Sequence, residues 1–186
     1  NTWGAKEPDG RTVAQHMGDR VRARAEGRER AVATPWESVN AALGGGLWPG
    51  FHVVVGATGA GKSQWALQVA VHAAKAEGAP CLYLALELDG FGLYCRAASL
   101  VSWGRVQDET GKPCAPSWSA LYTGKANAPG FVAAELAALP LHWCEAPPHG
   151  FPYDALAPGV EALRAQYPNH AGPVVVVVDF LQLVSS

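Results

Sequence analysis

A chain of 186 residues, 49% apolar and 16% charged, is long enough for one domain with a core and too apolar to be disordered. Its net charge of −2 excludes a polycation, so affinity for nucleic acid would rest on a local patch or on further sequence. No stretch approaches the roughly 20 apolar residues of a membrane span, and the polar start NTWGAKEPDG holds no signal-peptide core.

In chain order, residues 1–11 read as a leader. TVAQHMGDRVRARAEGRE (12–29) predicts a helix. Val13, Met17 and Val21 recur every four residues and give one narrow apolar stripe. Arg20, Arg22, Arg24, Arg28 and Arg30 stand around it, against Asp19, Glu26 and Glu29. So thin a stripe either packs on another surface, such as a neighbouring subunit, or remains a solvated face. A short helix is expected over 35–43, closed by the glycines 44–46 and a Trp-Pro-Gly turn. FHVVV (51–55) predicts a strand, and KSQWALQVAVHAAKAE (62–77) a helix ending at Gly78. CLYLALE (81–87) predicts a second strand and 90–103 a helix. Residues 104–130 read mainly as loop, with a helix near 117–122. FVAAELAAL (131–139) predicts a helix and LHWCEA (141–146) a strand. Residues 152–167 look helical, with Pro158 expected to break or restart the helix. PVVVVVDF (173–180) predicts the last strand.

Strands alternate with helices, and three strands are nearly continuous apolar runs. The pattern predicts an α/β fold with a mostly parallel sheet and helices on both faces. Cys81, Cys95, Cys114 and Cys144 form no CxxC pair and read as reduced thiols of a cytoplasmic protein. The six histidines show no ligand spacing, and Trp48, Trp65 and Trp143 read as core or interface residues.

GATGAGKS (56–63) matches G-x-x-x-x-G-K-[ST] in full, between an expected strand and an expected helix. Gly56, Gly59 and Gly61 allow a tight turn whose N–H groups face inward as an anion nest. The loop Gly56, Ala57, Thr58, Gly59, Ala60, Gly61, with Lys62, Ser63 and Gln64, is therefore the expected ATP-binding segment. Lys62 should reach the β- and γ-phosphates, and the Ser63 hydroxyl should ligate Mg²⁺. Asp179 ends the valine strand and should deliver a second Mg²⁺-holding group to the carboxyl edge of the sheet.

Hydrolysis also needs a group to deprotonate or orient the attacking water. Many ATPases place a Glu directly after the strand-end Asp, but Phe180 stands there. Glu87, at the end of CLYLALE, is the preferred base, with Asp89 and Glu145 as rivals. The other reading of Glu87 is an acid stabilised by the dipole of the helix that follows.

GGGLWPGFHVVVGATGAGKSQWALQVA, CLYLALEL and VVVVVDFLQLV together resemble the motor domain of DnaB-type replicative helicases, the RecA-fold ring ATPases. The resemblance implies that Glu87 is the catalytic base, with Leu88 where Met is usual. It matches Asp179, Phe180, Leu181, Gln182 and Leu183 to the family's Asp-Tyr-Leu-Gln-Leu-like segment. SALYTGKA (119–126) is similar to the family's Leu-Arg-Thr-Gly segment, with Tyr122 where Arg is common. The helix 12–29 resembles the linker helix that docks on the adjacent subunit. The division implied is a leader and linker-type helix at 1–30 and a partial RecA-like ATPase domain at 31–186. The resemblance also implies a homo-oligomer, a hexameric ring, acting on single-stranded DNA with no membrane partner. The family's DNA-binding loops and basic finger would follow Ser186, so the chain reads as about two-thirds of a motor domain. Two other readings share these motifs: a RecA/RadA-like recombination or repair ATPase, and an ATP-switched ring regulatory module.

Overall fold

The computed structural model describes residues 10–145, 151–179 and 184–185. Helix α1 (Val13–Ala25) is started by Thr12 and Gln15. The Thr12 hydroxyl accepts the Gln15 N–H, and the Gln15 side chain accepts the Thr12 N–H, so two donors left open by the helix start are met. The helix ends before residue 29 because Gly27, at φ +69°, turns the chain, and the Arg28 and Glu29 N–H groups return to Ala23 O. No residue of α1 is buried, and its stripe of Val13, Met17 and Val21 is open to solvent. Its polar face instead ties it to the segment before the glycine loop. Arg20 donates to Glu29 and to Pro49 O, and the Arg24 guanidinium lies 4.2 Å from the centre of the Trp48 ring.

Helix α2 (Glu37–Ala42) follows, and then Leu47 bridges antiparallel to Val32. Gly46 makes this bridge possible. It has φ +138°, and a Cβ there would collide with the Val32 carbonyl.

Helix α3 (Lys62–Glu77) ends at Gly78 as expected and leads into strand β1 (Cys81–Ala85). Helix α4 (Gly90–Ser102), the small hairpin of β2 (Val106–Gln107) and β3 (Pro113–Cys114), and helices α5 (Trp118–Tyr122) and α6 (Val132–Ala138) come next. Then follow β4 (Leu141–Glu145), β5 (Phe151–Pro152), a 3₁₀ turn (Tyr153–Ala155), helix α7 (Leu156–Gln166), β6 (Val175–Asp179) and β7 (Val184–Ser185). Pro158 does not break α7. It is the third helical residue, in the first turn, where a backbone N–H has no intrahelical acceptor to lose.

The main sheet has the order β4-β1-β6, and both pairings are parallel. The chain steps from β1 to β4, then back across β1 to β6. Right-handed crossovers put the connections of these opposite steps on opposite faces. One face carries Cys81, Tyr83 and Ala85 of β1, which join the core with Leu67, Ala70 and Ala74 of α3 and Leu93 and Ala97 of α4. The other carries Leu82, which Gly159 of α7 approaches, and His142, whose Nε2 shares a 2.8 Å hydrogen bond with the Tyr167 hydroxyl. The expected α/β architecture, a parallel sheet with helices on both faces, is the one observed.

One expected strand is missing. Residues 51–55 form no ladder, and Phe51 and Val55 are 79% and 87% exposed. β-Branched residues suit a pleated surface, but cross-strand pairing is what makes the strand. β1 takes one edge of β6, and among the described residues nothing pairs with the other.

Candidate functional site

The glycine loop sits at the start of α3. Gly59 and Gly61 have φ +78° and +88°, and Gly61 is the left-handed residue from which α3 begins. Gly56 lacks a positive φ, so its expected role in the turn is not a conformational one. The Ala60 N–H returns to Ala57 O at 3.1 Å and closes the turn, and residues 56–61 are exposed. The first N–H groups of α3 have no intrahelical acceptor and carry the positive end of the helix dipole. Lys62 curls over the loop and donates to Gly56 O and Ala57 O, each at 3.0 Å. The Gln64 side-chain oxygen is buried with no hydrogen-bond partner among the described residues.

Asp179 is the last residue of β6 and is 9% exposed. Its Oδ1 accepts from the Ser63 hydroxyl at 3.0 Å. Two residues 116 positions apart, singled out separately in the sequence, thus meet where α3 starts and β6 ends. The Asp179 backbone carbonyl accepts the Leu86 N–H at 2.8 Å, and Ala85 is its register partner. Glu87 therefore stands two residues beyond Asp179's neighbour, at the same carboxyl edge of the sheet, where open α/β sheets bind ligands. It is exposed, and no hydrogen bond or ion pair of its side chain is seen among the described residues.

The two rival acids are engaged elsewhere. Asp89 caps α4, accepting the Gly92 N–H at 2.5 Å, and also accepts from the Tyr122 hydroxyl at 3.0 Å. Glu145 accepts the Gly90 N–H at 2.5 Å. All three are exposed, but of them Glu87 alone has no such partner among the described residues; it lines a cavity of about 370 Å³ with Asp89, Arg96, Trp118 and Tyr122. Arg96 stacks on Trp118, with its Cζ 3.9 Å from the ring centre. Phe180 and the rest of the Phe-Leu-Gln-Leu segment, and residues 146–150 after Glu145, lie outside the described residues.

A family model described as an AAA domain matches residues 19–186. The chain belongs to the AAA domain family. It is thus an ATP-binding domain of the P-loop NTPase class. No curated protein matches the chain. Among the described residues no helix is long and apolar enough to cross a membrane.

This AAA domain holds a further site residue that the motifs did not single out. Tyr83 of β1 is fully buried, and its hydroxyl donates to Asp179 Oδ2 at 2.7 Å and to Ser63 O at 3.3 Å. Burial, and then the adjoining carboxylate, push its phenol well above the usual range. The available signal was a polar tip inside the apolar run CLYLAL, since a buried tyrosine hydroxyl usually needs a partner.

The donor set suits Mg²⁺. Ser63 and Asp179 offer hard oxygens within one coordination sphere of each other. Among the described residues no group of three or more His, Cys, Asp or Glu could hold a metal unaided. A cation here would draw its other ligands from water and phosphate, as Mg²⁺ commonly does.

Proposed function

We propose that this AAA domain is the ATP-hydrolysing motor part of a DnaB-like ring helicase, in which hydrolysis drives translocation on single-stranded DNA. The observation that carries the catalytic part is the Ser63–Asp179 hydrogen bond, with Glu87 at the same sheet edge and without a partner among the described residues. The glycine loop and the N-terminus of α3 bind the phosphates. Lys62 leaves its loop carbonyls for the β- and γ-phosphate oxygens. Ser63 and Asp179 hold Mg²⁺, which when bound neutralises charge on the phosphates. Glu87 accepts a proton from the attacking water, a role suited to a carboxylate with no competing partner. The open stripe of α1 supports assembly: three apolar side chains on a helix with no buried residue fit a neighbouring subunit.

The test is steady-state ATP hydrolysis by the full-length protein, with and without single-stranded DNA, alongside light scattering. A ring-sized assembly whose turnover rises with DNA supports the proposal. A monomer with DNA-independent turnover overturns the helicase part. Turnover on DNA by filaments or rings without strand displacement would favour the recombination-type reading.

A further inference from the structure

We propose that Tyr83 is a positioning residue: its hydroxyl occupies Asp179 Oδ2 and leaves Oδ1, the oxygen beside Ser63, as the one presented to the cation. The inference rests on the nucleotide–Mg²⁺ reading above and deepens it.

Three observations carry it. First, the two carboxylate oxygens of Asp179 have separate donors: Ser63 on Oδ1 at 3.0 Å and Tyr83 on Oδ2 at 2.7 Å. A carboxylate held at both oxygens cannot rotate freely or swing to a bidentate pose. Second, the donor is itself fixed. Tyr83 is fully buried at the centre of β1, which is paired on both sides. The same hydroxyl lies 3.3 Å from Ser63 O, so one group touches both residues expected to hold the cation. Third, packing does not require the hydroxyl. Phenylalanine would fill nearly the same space without burying a polar group, and burying one is unfavourable unless it is hydrogen-bonded. Among the described residues the phenol finds its partners at Asp179 and Ser63. Glu87 lies four residues after Tyr83, two beyond the end of β1, so the contact also ties the strand that leads to Glu87 to the cation site.

The experiment is a Mg²⁺ titration of the binding of a fluorescent, non-hydrolysable ATP analogue to wild type and Tyr83→Phe, repeated in EDTA. The melting transition of each protein is followed alongside. The Mg²⁺ midpoint of the variant is expected to rise about tenfold, the scale of a lost hydrogen bond to a charged acceptor. Affinity in EDTA is expected to stay at the wild-type value. An unchanged midpoint overturns the proposal. So does an equal loss of affinity with and without Mg²⁺, which would mark general loosening of the pocket. Absence of Mg²⁺-dependent binding in the wild type is a separate result: it refutes the underlying nucleotide–Mg²⁺ reading and this inference with it. A second measurement needs no variant. Ultraviolet resonance Raman of the wild type should show a strongly donating phenol that persists when Mg²⁺ and ADP are added. Its loss on addition would overturn the proposal.

Discussion

Besides Asp179, three described acids lie near the carboxyl edge of the sheet, and replacing each in turn separates a base from a structural acid. Glu87 is exposed and has no partner among the described residues, so Glu87→Gln should change stability by less than about 0.5 kcal/mol. If it is the base, kcat for ATP hydrolysis should fall by about 10²- to 10⁴-fold. Asp89→Ala removes an N-cap and a Tyr122 contact, and caps contribute about 0.5 to 2 kcal/mol. Glu145→Ala strips the Gly90 N–H of a charged acceptor, a loss of about 1.5 to 3 kcal/mol. For a chain of this size about 1 kcal/mol moves Tm by about 2 to 4 °C. The two structural variants should therefore melt several degrees lower yet keep hydrolysing at low temperature. Glu87→Gln should melt with the wild type and hydrolyse almost nothing. Differential scanning calorimetry and a coupled ATPase assay on the same samples read both quantities. Wild-type turnover in Glu87→Gln would refute the assignment. Lost turnover with unchanged Tm in Glu145→Ala would transfer the role to Glu145.

Lys62→Ala removes the ammonium that curls over the loop, and should weaken binding of an ATP analogue by about tenfold or more, measured by calorimetry. Gly46→Ala must adopt φ +138° and displace the Val32 carbonyl; the backbone strain alone costs about 1 to 3 kcal/mol, so urea unfolding should shift to lower concentration. Glu29 is held down to about 2 from its ordinary 4.5, chiefly by the hydrogen bond from Arg20. A depressed acid stabilises the fold fully above 4.5 and loses that contribution as pH falls toward 2. The stability gap between wild type and Glu29→Gln should therefore be constant above pH 5 and close below it, as followed by melting curves.

The parts legible in the sequence are those set by local rules. The bounds of α3 follow from a glycine at each end and good helix formers between, and the structure returns them unchanged. The apolar run before Asp179 reads as a strand buried on both faces; it is a strand, but Val175 to Val178 are only half-buried. Alternating strands and helices then gave the layers. FHVVV shows where this stops: it has the same β-branched composition, yet it joins no ladder, because pairing depends on a partner that composition cannot name. Pro158 failed in the opposite sense, since a residue that breaks a helix interior is harmless in its first turn.

The site divides along the same line. Lys62, Ser63 and Asp179 carry signatures short enough to read, and Ser63 and Asp179 do meet. What separates Glu87 from Asp89 and Glu145 was invisible, because all three are acids near strand ends. The distinction lies in which N–H groups point at them: Gly92 and Gly90 belong to the first turn of α4, whose donors lack intrahelical acceptors and draw in Asp89 and Glu145. Two acids cap that helix, so the third need not, and the dipole-stabilising alternative for Glu87 loses its reason. Tyr83 was hidden for a related cause, as its ring belongs to the core and only its last atom belongs to the site. A residue with two roles reads from sequence as the one that its neighbours share. Between them, the capped α4 and the clamped Asp179 leave a single side chain at this edge that is charged, solvent-facing and unpaired, and Glu87 is that side chain among the described acids there.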